Sequence, residues 1–378
     1  MNLVVSTLLE AENITPLILE SQKQGRKCDL LYGFPLNKSA VKRLVAIARA
    51  IGLSNLSVMI DHVDQLGWVR EIHEQLGGKS SSQVNLYVKV DIGAARSGVV
   101  EGTAACGDIV DALEHLHYFN FVGLYSHAGH SYGGNSRSEA ISYLNQEFEA
   151  LLSMTKIFPI KDFSNFTLAV GATPTTTALR NLTSSSQTPG DEDTSLQALN
   201  RTLADIKETK CQIEMHAGVY PLLDVQQLAT HALHENDLNW DNLGLTILTE
   251  VASLYLERHP PEALIVAGVL ALARDPCKAY PGWGILSPWN CPDHTKFDGS
   301  PEEHKGWQVA KVSQEHGILR WTGKEDDWEK MEIGQRLRIW PNHACIAGAG
   351  FEYYLVVDSR REGKEDEIVD VWVRWNGW

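Results

Sequence analysis

The sequence predicts an α/β chain: a (β/α)8 TIM-type barrel lacking its first strand, followed by a mainly antiparallel β domain. Three observations carry that expectation. A strand-like run begins directly after Met1, six further apolar runs follow with helical pattern between them, and beyond Asp241 the pattern changes to short alternating runs. Strand, helix, strand at this spacing means parallel βαβ units. A closed parallel barrel needs eight strands. The seven counted here therefore place the missing one, with whatever chemistry it carries, upstream of Met1.

The strands are expected at Leu3–Leu8, Asp29–Gly33, Leu56–Asp61, Leu86–Asp91, Phe121–Ser126, Thr167–Gly171 and Gln212–His216. Helices are expected at Ala40–Ala50, Val63–Leu76 and Ile141–Ser153, whose apolar residues recur with a period near 3.6, and at the amphipathic Leu196–Glu208. Gly77–Gln83 and Thr183–Thr194 are too polar to pack and read as surface insertions. The second domain, 242–378 after a barrel domain of 1–241, is expected to build strands from Gly244–Glu257, Ala263–Leu272, Trp307–Ser313, Ile318–Trp321, Arg336–Pro341, Tyr353–Val357 and Glu367–Trp375.

Composition bounds the function. The chain has 378 residues, enough for two domains, and its net charge of −15, with no cluster of Lys and Arg, argues against nucleic acid. No stretch approaches the roughly 20 apolar residues of a membrane span, and residues 1–20 carry Glu10, Glu12 and Glu20 where a signal peptide would be basic. A soluble, cytoplasmic protein is expected. The six scattered cysteines include no C-x-x-C pair, which suits a reducing compartment.

In a parallel barrel the active site lies at the carboxyl ends of the strands, and there the sequence is polar. Arg96-Ser97-Gly98 follows one strand, His127-Ala128-Gly129-His130-Ser131-Tyr132 another, then come Gly171-Ala172-Thr173-Pro174-Thr175 and His216-Ala217-Gly218-Val219-Tyr220. Small residues free backbone N–H groups for an anion, so the set suggests a phosphate-bearing ligand with a polar ring. Singly, each glycine-rich loop is more often a turn, and each histidine more often a hydrogen-bonded structural residue. Four such loops on one rim favour function.

Pro341-Asn342-His343-Ala344-Cys345 is a second constellation. On extended chain, imidazole and thiolate two residues apart point to one side, and both ligate zinc. Two protein ligands make an open site with positions left for water or substrate, although on spacing alone such a pair is more often a core feature.

Taken in order, Val90-Asp91-Ile92-Gly93 with Arg96-Ser97-Gly98, Ser126–Tyr132, Gly171–Thr175, Glu214–Tyr220 and Pro341–Cys345 resemble the eukaryotic, fungal-type D-serine dehydratases. These belong with the D-threonine aldolases among the alanine-racemase-like, fold-type III pyridoxal-phosphate enzymes. The resemblance runs from Val4 to Trp378. It implies pyridoxal 5'-phosphate and Zn2+ as cofactors, with zinc on His343 and Cys345, a homodimer, and elimination of D-serine to pyruvate and ammonia, and it leaves open whether D-threonine is also a substrate. It gives the phosphate to Thr173, Gly218, Val219 and Tyr132, with Tyr220 beside them, and the ring to Arg96 and His127. Tyr280, in Tyr280-Pro281-Gly282-Trp283-Gly284, is a further candidate.

The resemblance also implies a lysine in a motif similar to H-V-K-T-H-K on the first barrel strand, and that motif is not in this sequence. Lys89 lies in a different family motif. The expectation is an N-terminally shortened member with strongly reduced turnover. Two alternatives stand beside it: an aldolase acting on D-threonine, against which Cys345 argues because the aldolases resemble H-x-D there, and a non-catalytic pyridoxal-phosphate or zinc binder.

Overall fold

In the computed structural model, which describes residues 2–79, 83–182, 191–291 and 299–377, the chain forms two compact units. Unit 1 comprises residues 2–131, 141–217 and 377, and unit 2 comprises residues 132–140 and 218–376.

Unit 1 alternates strands and helices: β1 (Asn2–Val5), α1 (Leu8–Lys23), β2 (Asp29–Pro35), α2 (Val41–Ile51), β3 (Leu56–Ile60), α3 (Gln65–Gln75), β4 (Val84–Lys89), α4 (Ala104–His115), β5 (Phe119–Tyr125), α5 (Arg137–Met154), β6 (Thr167–Val170), α6 (Thr173–Ala178), α7 (Asp191–Thr209) and β7 (Gln212–Met215). The strands form one seven-stranded sheet in sequence order, parallel throughout. All seven expected strands are present.

The first expected strand ends early, because Thr7 starts a helix. Its hydroxyl accepts from Glu10 N at 3.1 Å while the Glu10 carboxylate accepts from Thr7 N at 3.0 Å, a reciprocal cap that turns the chain out of the sheet. Pro16 inside α1 hides that helix from a periodicity count. Helix α4, capped by Thr103, was not expected either. The insertion expected at Thr183–Thr194 gives way to helix α7 from Asp191 onward; residues 183–190, like residues 80–82 of the other insertion and Trp378, lie outside the described residues.

The concave face of the sheet is filled by Leu31, Met59, Tyr87, Tyr125 and Ala169, with Val122 packed against them. Gly123 makes room for this layer. A Cβ there would stand 2.4 Å from the Tyr87 ring, so only glycine lets that ring lie across β5.

Unit 2 continues with α8 (Val225–Ala229), β8 (Ile247–Tyr255), β9 (Glu262–Ile265), α9 (Val269–Leu272), β10 (Gly284–Leu286), β11 (Trp307–Val312), β12 (Gly317–Trp321), β13 (Arg336–Pro341), α10 (Ala344–Ala349), β14 (Tyr353–Val356) and β15 (Asp370–Val373). Six of its strands close into an antiparallel barrel in the order β10-β11-β12-β9-β8-β13, and β14 with β15 makes a separate hairpin. The run Ala263–Leu272 divides. It leaves the sheet after Ile265, since Gly268 carries the chain against the backbone of Ser313 and Gln314, and the helical turn α9 follows. Three-residue β10 was too short to expect. Among the described residues no helix is long and apolar enough to cross a membrane.

The barrel core centres on Trp307, fully buried, with the Trp321 ring 5.7 Å away edge-on and Val251, Ile265, Leu319, Leu337 and Ile339 around it. Buried Glu262 is paired with Arg320 at 2.6 Å and Arg258 at 2.6 Å, which neutralises the one acidic strand end in the sheet. Trp307→Ala is expected to cost about 3–5 kcal/mol in a denaturant titration. A cost below about 1 kcal/mol would show that the barrel is not built on this indole.

Candidate active site

The sites are built separately in each unit. In unit 1 the carboxyl ends of β4, β5, β6 and β7 meet on the concave face. After β4 the chain folds back on itself: Val99 N donates to Lys89 O at 2.9 Å and Asp91 N donates to Val99 O at 2.9 Å. Asp91 accepts from Gly93 N and Ala95 N, and Asp61 accepts from Gly98 N at 3.0 Å. Gly98 sits at φ +119, where a Cβ would meet Asp91 N at 2.5 Å, so the loop needs glycine. This loop carries Arg96.

After β5, His127 Nδ1 faces Gly171 O at 3.0 Å, and His216 Nε2 faces Ser126 O at 3.2 Å. Both partners are carbonyls, so Nδ1–H of His127 and Nε2–H of His216 are the donors. The His216 ring stacks on Tyr125 at 4.2 Å, and Lys89 Nζ stands 4.7 Å from the Tyr125 ring centre. Burial, then the Arg96 and Lys89 charges, lowers the His127 pKa to about 4; burial, then His127 and Lys89, lowers that of His216 to about 3. Both imidazoles are neutral at pH 7.

The residue that assembles this rim was missed by the sequence reading. Glu147, on α5 and fully buried, accepts from Ser126 Oγ at 3.1 Å, Ala128 N at 3.1 Å, Gly171 N at 3.0 Å and Thr175 Oγ1 at 2.8 Å. One carboxylate thus ties the His127 loop to the Thr173 loop. The Thr175 hydroxyl in turn accepts from Ala172 N at 2.9 Å, fixing the start of α6 where Thr173 is buried. A signal was present: Glu147 lies among Ile141, Leu144, Phe148 and Leu151 on the buried stripe of α5, where a lone charge needs partners.

In unit 2, Asp224 holds the P-N-H-A-C segment. Its carboxylate accepts from Gln227 N at 3.0 Å and from Ala344 N at 2.9 Å, and burial raises its pKa against those bonds. Asn342 donates to Gly282 O and Asp275 O and accepts from the Tyr280 hydroxyl. His343 is extended, but Cys345 is already in the first turn of α10, so the pair does not share one face of an extended chain as expected. The His343 ring is fixed by Nδ1–H donating to Asp275, which leaves Nε2 as the ring nitrogen with the lone pair. Cys345 keeps contact with solvent, while the protein around its thiol and the Asp224 charge push its pKa up to about 11. Among the described residues no cluster of three or more His, Cys, Asp or Glu could hold a metal.

Of the expected cofactor residues, unit 1 brings Arg96 and His127 to one cluster and places Thr173 in the loop bound to it through Glu147. In unit 2, Val219 is buried with Leu245 and Ala344, Gly218 has open space where a Cβ would stand, and Tyr132 is half-buried. Tyr280 is bound to Asn342, and Tyr220 is 66% exposed.

Two family profiles match the chain: "Alanine racemase, N-terminal domain" over residues 2–189 and "Putative serine dehydratase domain" over residues 244–357. D-serine dehydratase of Schizosaccharomyces pombe is 32% identical over 99% of this chain and 79% of its own length. The chain belongs to the D-serine dehydratase family. D-serine dehydratase of Saccharomyces cerevisiae is 29% identical over 100% of the chain and 81% of the relative. Among solved structures, D-threo-3-hydroxyaspartate dehydratase from Delftia sp. HT23 shares the fold, with a TM-score of 0.69 at 22% identity, covering 100% of this chain and 84% of that one. The first profile covers strands β1 to β6, and the second runs from just before β8 to the end of β14.

Two predictions follow from the buried groups. His127 and His216 have folded-state pKa values below the unfolded value near 6.5, so the unfolded chain binds more protons in acid. Their stabilisation is therefore complete above pH 6.5 and lost as pH falls toward 4 and 3. Each is expected to cost about 2 kcal/mol at pH 5, measured by urea titration across pH; an unchanged midpoint from pH 7 to 5 would show both rings charged in the fold. Glu147→Gln places an amide NH2 where only donors arrive, and should cost about 1–3 kcal/mol; an unchanged midpoint would remove Glu147 from its organising role.

Proposed function

We propose that this protein is a pyridoxal-phosphate- and zinc-dependent lyase that eliminates water from D-serine, releasing pyruvate and ammonia. The observation that carries the reading is similarity along essentially the whole chain to D-serine dehydratases, at 32% identity for the fission-yeast relative.

The residues of unit 1 fit the cofactor. The concave rim presents the Arg96 and Lys89 cations and a Tyr125–His216 aromatic wall. These are groups for an anionic, aromatic ligand. Bound pyridoxal phosphate supplies an electron sink for the pair left at the substrate α-carbon. Arg96 and His127 are proposed to bind its ring substituents, and Thr173 its phosphate. His127 presents Nε2 as a neutral acceptor because Gly171 O holds its Nδ1–H. Tyr132, Gly218, Val219, Tyr220 and Tyr280 are proposed as cofactor residues on their motifs alone.

The donor set of unit 2 fits zinc as an open site. His343 would ligate through Nε2, oriented by Asp275 as a metal-bound imidazole commonly is by a carboxylate, and Cys345 through its thiolate. Zinc there would supply a Lewis acid for a hydroxyl leaving group. The division of labour at Asp241, a homodimeric state and a cytoplasmic location belong to the same proposal, as does D-threonine as a second substrate.

Incubation with D-serine, cofactor and zinc is expected to yield pyruvate and ammonia in equal amounts, with none from L-serine and loss of product on chelation. Glycine and acetaldehyde from D-threonine would instead support the aldolase alternative, which Cys345 disfavours. Retention of the cofactor with no product from either substrate would support a binding protein.

A further inference from the structure

In unit 2 the β14–β15 hairpin brings a cation to the helix that carries Cys345. Arg374 directly follows β15, and its backbone N–H donates to Glu352 O at 2.8 Å, so the hairpin fixes where the side chain leaves the chain. Its Nη1–H donates to the Tyr354 hydroxyl, and its guanidinium carbon stands 5.1 Å from the Tyr354 ring centre. Both side chains rest on α10, because a Cβ on Gly348 would overlap Arg374 Nη1 and the Tyr354 hydroxyl together. Gly348 and Cys345 are three residues apart on that helix and so share one face. Arg374 and Asp224 are accordingly the charges that act on the Cys345 thiol.

Among the described residues Arg374 has no carboxylate partner, whereas Arg258, Arg320, Arg338, Arg360 and Arg361 of the same unit each pair with one. Its Nε is enclosed and makes no hydrogen bond. A guanidinium placed only to brace the hairpin would direct its N–H donors at carbonyls or a carboxylate. This one meets a ring and a hydroxyl, which leave its charge uncompensated. In a chain with 48 acidic residues the omission is not a shortage of anions. A half-buried cation in this position suits a planar anion brought by a ligand.

We propose that Arg374 binds the carboxylate of the substrate whose hydroxyl the His343–Cys345 pair takes. The proposal rests on the reading of that pair as an open zinc site. In D-serine the carboxylate carbon is three bonds from the hydroxyl oxygen, so the two groups must be taken by neighbouring side chains. Arg374 is the cation on the helix face that carries Cys345. Its planar guanidinium can meet both carboxylate oxygens through parallel N–H donors, which an ammonium cannot. Elimination of water leaves the carboxylate unchanged, so the contact is equally strong in the ground state and the transition state. It therefore governs affinity and not the chemical step. An amino alcohol lacking the carboxylate would leave the guanidinium unpaired, which makes small β-hydroxy acids the ligand class of this site.

The test is calorimetric titration of the zinc-loaded full chain with 3-hydroxypropionate, which keeps the hydroxyl and carboxylate of D-serine and lacks the amine. Metal analysis of each variant reports zinc separately. The expected result is equal zinc in the unsubstituted chain and Arg374→Gln, with 3-hydroxypropionate bound at least about tenfold more weakly by the variant. The KM for D-serine should rise by a similar factor while kcat changes less than about threefold. Equal binding of 3-hydroxypropionate by both chains, or a fall in kcat at unchanged KM, overturns the proposal. Should Arg374→Gln fail to hold zinc, Arg374→Lys decides. Zinc retained there with weakened 3-hydroxypropionate supports the assignment, and unweakened binding or loss of zinc overturns it. Zinc on the unsubstituted chain without 3-hydroxypropionate binding overturns the proposal alone, and no zinc on that chain overturns the metal reading with it.

Discussion

A buried carboxylate must collect enough donors to replace water, and in unit 1 that requirement is met only when two loops from different strands come to Glu147. The helix α5 brings the charge, β5 brings Ser126 Oγ and Ala128 N, and β6 brings Gly171 N and Thr175 Oγ1. Because an unsatisfied carboxylate in that position would cost several kcal/mol, the placements of His127 and of the Thr173 loop are coupled. Neither loop can move without stranding the charge. Gly171, at φ +140 and with His216 O where its Cβ would be, lets β6 and β7 close at the same point.

Unit 2 solves a similar problem with Asp224. It begins α8 through Gln227 N and anchors α10 through Ala344 N, so one acid fixes the segment that carries His343 and Cys345. Asn342 extends that control to Tyr280, Asp275 and Gly282. The His–Cys pair is thus presented by a strand end and a helix start, both pinned by side chains distant in sequence.

The electrostatics of the concave face follow from the same enclosure. Cations and imidazoles crowded in low dielectric resist protonation, so His127 and His216 stay neutral and the Lys89 amine is unusually easy to deprotonate. A rim that holds Arg96 as its permanent cation beside neutral nitrogen bases and an aromatic wall suits an anionic aromatic ligand better than a second cation.

The strand order, the change of pattern near Asp241 and the polar loops after the strands were legible because burial and turn chemistry leave periodic, local marks in a chain. Helix α1 was not, since Pro16 breaks its pattern, although Thr7 and Glu10 stated its start. Nor was the turn at Cys345, where two residues after a strand could be extended or helical. The motifs by themselves determined the family and the candidates Arg96, His127, Thr173, His343 and Cys345. Only the tertiary structure selected Glu147. Its significance lies in burial and in partners up to 28 residues removed, and burial is a property of the packed sheet and helix, not of the residue alone.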